Sequence, residues 1–195
     1  LRHGAQDRTP DRRTAKVNAL NALIAAFRDV LLLRRGPQDL PHSQVLLAAL
    51  SVLALLVGML QAGFLVGGPV PFAQLLVQLL LLVALPALAL KMAGLSPRLV
   101  QTATALVGTD IVFSVLALPV VAGFGERPAD PADLQPLQLL FAFVSFALLA
   151  YLAAVKGHIL RHAMDVPLRA GVLLAIAFFA IEVVIVLALF GGRSA

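Results

Sequence analysis

The chain has 195 residues, 61% of them hydrophobic and only 13% charged, with a mean hydropathy of +0.97 and neither cysteine nor tryptophan. A soluble domain usually carries about 45–50% apolar and about 25% charged residues, so this composition excludes an ordinary water-soluble globule. The absence of cysteine excludes disulfide scaffolds, thiolate metal sites and cysteine nucleophiles, and the net charge of +5 is no nucleic-acid footprint, because most of the chain has no polar face to carry one.

Residues 1–44 read as a cytoplasmic N-terminal segment. Leu1 to Thr14 are polar and charged, and no cleavable signal peptide is expected, because the apolar run begins far from the start. Val17, Leu20, Ile24, Phe27 and Leu31 recur at helical spacing, which predicts an amphipathic helix over about 17–35 lying in the cytoplasmic interface. Gly36-Pro37 ends it and Pro41 leads onward. Packing on the ends of the bundle and docking a partner fit this helix equally well.

Residues 45–195 contain five stretches that meet the need of a membrane span for about 20 apolar residues: 45–66, 72–90, 99–122, 137–155 and 170–190. They are too long, and lack the alternation, for barrel strands. The expected fold is therefore all-α: a polytopic membrane protein, a five-helix transmembrane bundle with an N-terminal cytoplasmic amphipathic helix. Lys91 and Lys156 are read as stops of the second and fourth spans. With five spans, thirteen Lys and Arg fall on the N-terminal side and two, Arg127 and Arg193, on the other, where a loop holds Glu126, Asp130 and Asp133. That bias predicts a cytoplasmic N-terminus and a periplasmic C-terminus. Arg28, Arg34, Arg35, Arg98, Lys156 and Arg161 are expected to meet lipid headgroups or a cytoplasmic partner.

A charge at mid-bilayer costs at least about 2.5–3.5 kcal/mol, so acids inside spans are functional candidates by default. Asp110 and Glu182 are two such acids, near the middles of the third and fifth spans. No Lys or Arg is expected at their depth, so each is read as a protonated donor, a member of a proton-sharing pair, or a group awaiting counter-charge from a partner chain or ion. Thr109, Ser114 and Ser145 are candidate partners. A proton or cation route through these residues competes with a structural hydrogen-bond clasp, the commoner arrangement in small membrane proteins.

Ala54, Gly58 and Ala62 recur every four residues, a spacing that lets another helix pack closely. Pro86 and Pro119 are expected to kink their helices. Gln61, Gln74 and Gln78 can form one polar cluster facing the bundle interior, a clasp rather than a substrate site. His158, His162 and Asp165 fall on one face if the fourth helix continues, but without a metal-protease motif they read as a weak metal candidate and more readily as a solvated patch. Gly67-Gly68-Pro69 and Gly191-Gly192 read as turns, and no phosphate loop, dinucleotide glycine pattern or catalytic elbow is present. No metal, no cofactor and no enzymatic activity is expected.

The layout resembles the Yip1-domain membrane proteins across most of residues 28–190. The run from Gly94 to Thr102, with Ser96, Arg98, Gln101 and Thr102, is similar to the family's loop before the third span, and Phe143 to Leu173, with Gly157 to Arg161 and Leu168-Arg169-Ala170, is similar to its fourth-to-fifth passage. Arg34-Arg35-Gly36-Pro37 stands where eukaryotic members carry an acidic-aromatic Gly-Pro motif. The resemblance and the Ala-, Leu- and Arg-rich composition imply a bacterial inner-membrane member. The function expected first is therefore a non-enzymatic adaptor, scaffold or accessory subunit of a larger membrane assembly. Its partners would be the lipid bilayer and another membrane protein or a second copy, with no nucleic acid. The alternative is a small proton- or cation-conducting transporter using Asp110 and Glu182.

Overall fold

A computed structural model describes the backbone of residues 12–65, 71–124 and 135–191, and the side chains of these except 12–20, 64, 65 and 124. Six α-helices follow in chain order: α1 Arg12–Leu31, α2 Gln44–Leu65, α3 Phe72–Met92, α4 Leu99–Phe124, α5 Pro136–Met164 and α6 Leu168–Phe190. The described residues contain no strand, and α2 to α6 are long and apolar enough to cross a membrane. The all-α membrane bundle is thus the observed fold. Pro86 and Pro119 lie within the continuous helices α3 and α4. The expected Gly67-Gly68-Pro69 turn, Gly192, Arg193, the loop with Glu126, Arg127, Asp130 and Asp133, and the side chains of Val17 and Leu20 lie outside the described residues.

Local sequence sets the helix ends. Ser43 caps α2, its Oγ accepting the Leu46 N–H at 3.2 Å. Three helices close on a left-handed residue, with a backbone N–H reaching back five positions: Leu33 after α1, Gly94 after α3 and Asp165 after α5. Glycine and aspartate adopt that conformation readily; Leu33 does so against its preference. Pro167 then opens α6.

α4 is the central helix. In its span 39% of the residues are buried, against 6–11% in the other four, whose outer faces stay apolar and exposed as lipid contact requires. The closely packed core lies where α1, α4 and α5 meet, built from Val30, Leu106, Val155, Ile159 and Leu160. Two corrections to the sequence expectation arise here. α1 packs Phe27 and Leu31 of the expected stripe half-buried against the core, but it buries Ala26 and Val30 beside them and leaves Ile24 58% exposed. It also reaches up the bundle: Phe27 seats against Gly108, and the Leu31 carbonyl accepts the Tyr151 hydroxyl at 2.9 Å. The second correction concerns the fourth span. It does not stop at Lys156 but runs on to Met164.

Candidate functional site

Lysine is a good helix former, so α5 passes through Lys156, and the lysine side chain meets Asp110. Its Nζ lies 2.7 Å from Asp110 Oδ1, with the lysine side chain only 17% exposed. The expectation that no base shares the depth of the intramembrane acids is thus overturned, and so is the placing of Lys156 among the headgroup contacts. A lysine can sit inside a span when a carboxylate removes its net charge and its four methylenes rest on apolar neighbours.

Asp110 opens on a cavity of about 310 Å³ among α2, α3, α4 and α6. Gln61 of α2 and Gln74 and Gln78 of α3 line it, with Ser114 one helical turn beyond Asp110 on α4 and Glu182 on α6. The three glutamines do face the interior together, and they face it alongside both acids. Ala54, Gly58 and Ala62 form another part of its wall. Leu75 of α3 approaches Gly58 there, its Cδ2 within 3.3 Å of where a Cβ would be. Lys156 and Asp110 both lie within electrostatic reach of Glu182, which makes no hydrogen bond or salt bridge among the described residues. Two acids and one base thus share one intramembrane region, and the base is committed to Asp110.

Two expected partners are elsewhere. Ser145 is exposed on α5 and donates to the Phe141 carbonyl of its own helix at 2.8 Å, the usual way a serine in a span satisfies its hydroxyl. Thr109 is fully buried and does not line the cavity; its hydroxyl has no hydrogen-bond partner among the described residues. Neighbours on a helix point about 100° apart, which carries Thr109 off the face that Asp110 presents.

At the end of the bundle where α4 begins and α5 ends, a second set of polar side chains holds the segment between α1 and α2. Gln101 Nε2 donates to the carbonyls of Gln38 at 3.2 Å and Leu40 at 2.8 Å, and His158 Nε2 lies 3.1 Å from the Arg35 carbonyl. Arg98 Nη1 reaches the carbonyls of His162 and Ala163 and pairs with Asp165 Oδ2 at 2.7 Å, a cation on the open carbonyls of a helix C-terminus. His158 and His162 meet edge to face at 4.6 Å. Asp165 is drawn to Arg98 instead, so the three weak metal candidates do not converge, and no metal-holding group of three occurs among the described residues. Arg28 and Arg35 both pair with Asp29, while Arg34 is exposed and Arg161 half-buried.

The Asp110–Lys156 pair was the residue-level feature that sequence reasoning missed. Two signals pointed to it: an acid with no base at its depth, and a stretch after Lys156 in which no proline ends the helix before Pro167. The fold and this site define the class, an all-helical membrane protein with an intramembrane ion pair beside a polar cavity. No family model, no curated protein and no solved structure matches the chain.

Proposed function

We propose that this chain is a small transport protein of a bacterial inner membrane, its N-terminus in the cytoplasm, that passes protons or monovalent cations through the polar cavity by charging and discharging Glu182. One observation carries this reading: Lys156 neutralises Asp110 and leaves Glu182 as the acid without a counter-charge on a cavity lined by glutamines and a serine. A bare carboxylate inside a membrane is costly, so Glu182 holds either a proton or a cation, and exchange between the two is the elementary act of coupled transport.

The test is flux into liposomes carrying the purified protein and a trapped pH-sensitive dye, driven by a potassium diffusion potential. Proton or cation entry is expected, with Glu182→Gln abolishing it and Asp110→Asn reducing it. Equal flux in Glu182→Gln would sink the reading.

A second reading is a non-enzymatic Yip1-like adaptor. It is favoured by the meeting of Arg98 and Gln101 with His158 around residues 35–40, which gathers the stretches that carry the resemblance at one end of the bundle. Arg34 and the exposed face of α1 would then meet a membrane-protein partner. Co-purification in mild detergent tests it, and a monodisperse monomer whose loss affects no complex counts against it.

A further inference from the structure

Glu182 lines two cavities, and the second is unlike the first. It holds about 280 Å³ among α3, α4, α5 and α6, and its wall is almost wholly apolar, with Leu81, Leu85, Phe146, Phe178 and Phe179 prominent. Lys156 and Glu182 are its charged residues. Its rim lies on the perimeter of the bundle, where Phe146 is 70% and Phe179 47% exposed, so an occupant enters sideways from the hydrocarbon.

The charges select that occupant. The Lys156 ammonium is already taken by Asp110, and Glu182 is left as the free counter-charge, which disfavours an anionic amphiphile such as a fatty acid. A small hydrated metal ion would find no oxygen ligands beyond the carboxylate. An apolar body bearing one diffuse positive charge finds both a matching wall and a matching charge, and aromatic rings favour such a cation further.

We propose that the apolar cavity binds a monovalent lipophilic cation, an aryl or alkyl quaternary ammonium, in exchange for the proton on Glu182. This deepens the transport reading by naming the substrate class and rests on it for the role of Glu182. The exchange balances: the protonated carboxyl gives up its O–H proton to the water of the polar cavity, and the carboxylate formed pairs with the incoming cation, with no other bond made or broken.

The experiment is calorimetric titration of the full chain in lipid nanodiscs with benzyltrimethylammonium, repeated in buffers of different ionisation enthalpy to count protons. Saturable binding with one proton released per cation is expected, weakening about tenfold per pH unit where Glu182 is protonated. Glu182→Gln should abolish it, Glu182→Asp should retain it in part, and Phe179→Ala should weaken it several-fold. Neopentylbenzene, the uncharged isostere, should not compete.

Equal binding of the isostere would mean a lipid-filled groove and overturn the proposal. So would binding in Glu182→Gln, binding without proton release, or absent binding in a protein found dimeric through Phe146. A melting curve of Glu182→Gln that matches the parent separates loss of the site from loss of the fold. Proton flux without cation binding would overturn this inference alone, whereas binding with proton release but no flux would overturn the transport reading and leave the site standing.

Discussion

Gly157 and Gly171 bring α5 and α6 so close that a methyl group on either would strike the other helix's backbone: a Cβ on Gly157 would lie 2.7 Å from Val172 Cα, and one on Gly171 would collide with the Gly157 carbonyl oxygen. On α2 the same kind of residue does something different. Ala54, Gly58 and Ala62 line the polar cavity, and a Cβ on Gly58 would meet only the mobile end of Leu75. In one seam small residues remove the space between helices, and in the other they preserve it. Repeats of small residues at helical spacing therefore do not by themselves announce close packing; what stands opposite decides.

The largest effect is expected on the cavity side, because its charges matter more than its contacts. Lys156→Met leaves Asp110 and Glu182 without a base and should destabilise by about 3 kcal/mol, the low end of the cost of breaking a buried pair from one side, because the Asp110 side chain is 37% exposed. Asp110→Asn should cost less, since Glu182 is at hand as the lysine's alternative partner. The double variant should recover most of the stability of Lys156→Met, because an uncharged pair strands nothing. Chemical unfolding in detergent measures all three. A larger loss in Asp110→Asn than in Lys156→Met would show that Glu182 does not take over.

That pair also marks the limit of what the sequence revealed. Hydropathy located all five spans, because the length of an apolar run and the thickness of a bilayer are both one-dimensional quantities. It placed Asp110 and Glu182 in a common region for the same reason. It could not pair Lys156 with Asp110, which are 46 residues apart on different helices, and the same scale that finds spans counts a lysine as an end. Ser145 was misjudged through the same error. Once α5 extends to Met164, Ser145 lies about three helical turns from Lys156, too far along the helix to join the acids. The most buried positions of α1 were missed for another cause: Ala26 looks neutral in sequence, yet it and Val30 join the buried core, with Phe27 and Leu31 of the stripe packed against it.

The tight seam supplies the next effect in size. Gly171→Ala forces α6 off Gly157 and Arg161, with backbone atoms that cannot rotate away, and should cost about 1–3 kcal/mol. A melting temperature within a degree of the parent would mean that the helices part there without penalty. Smaller again is Gln101→Ala, which strips the carbonyls of Gln38 and Leu40 of their donor and should cost about 1 kcal/mol. Amide exchange should then quicken in residues 35–40 ahead of the rest of the bundle.

The smallest effect on stability is the sharpest test of the contrast. In Gly58→Ala the new methyl would sit 3.3 Å from Leu75 Cδ2, an atom that swings aside with a modest change of rotamer. Stability should therefore stay within about 0.5 kcal/mol of the parent, as for substitutions that meet no fixed neighbour. Flux should nevertheless fall, and Gly58→Leu should abolish it with the fold intact, because the added volume enters the cavity between Asp110 and the glutamines. If Gly58→Ala instead destabilised as much as Gly171→Ala, the α2 stripe would be a close-packed seam. The hollow beside it would then be incidental to why its residues are small.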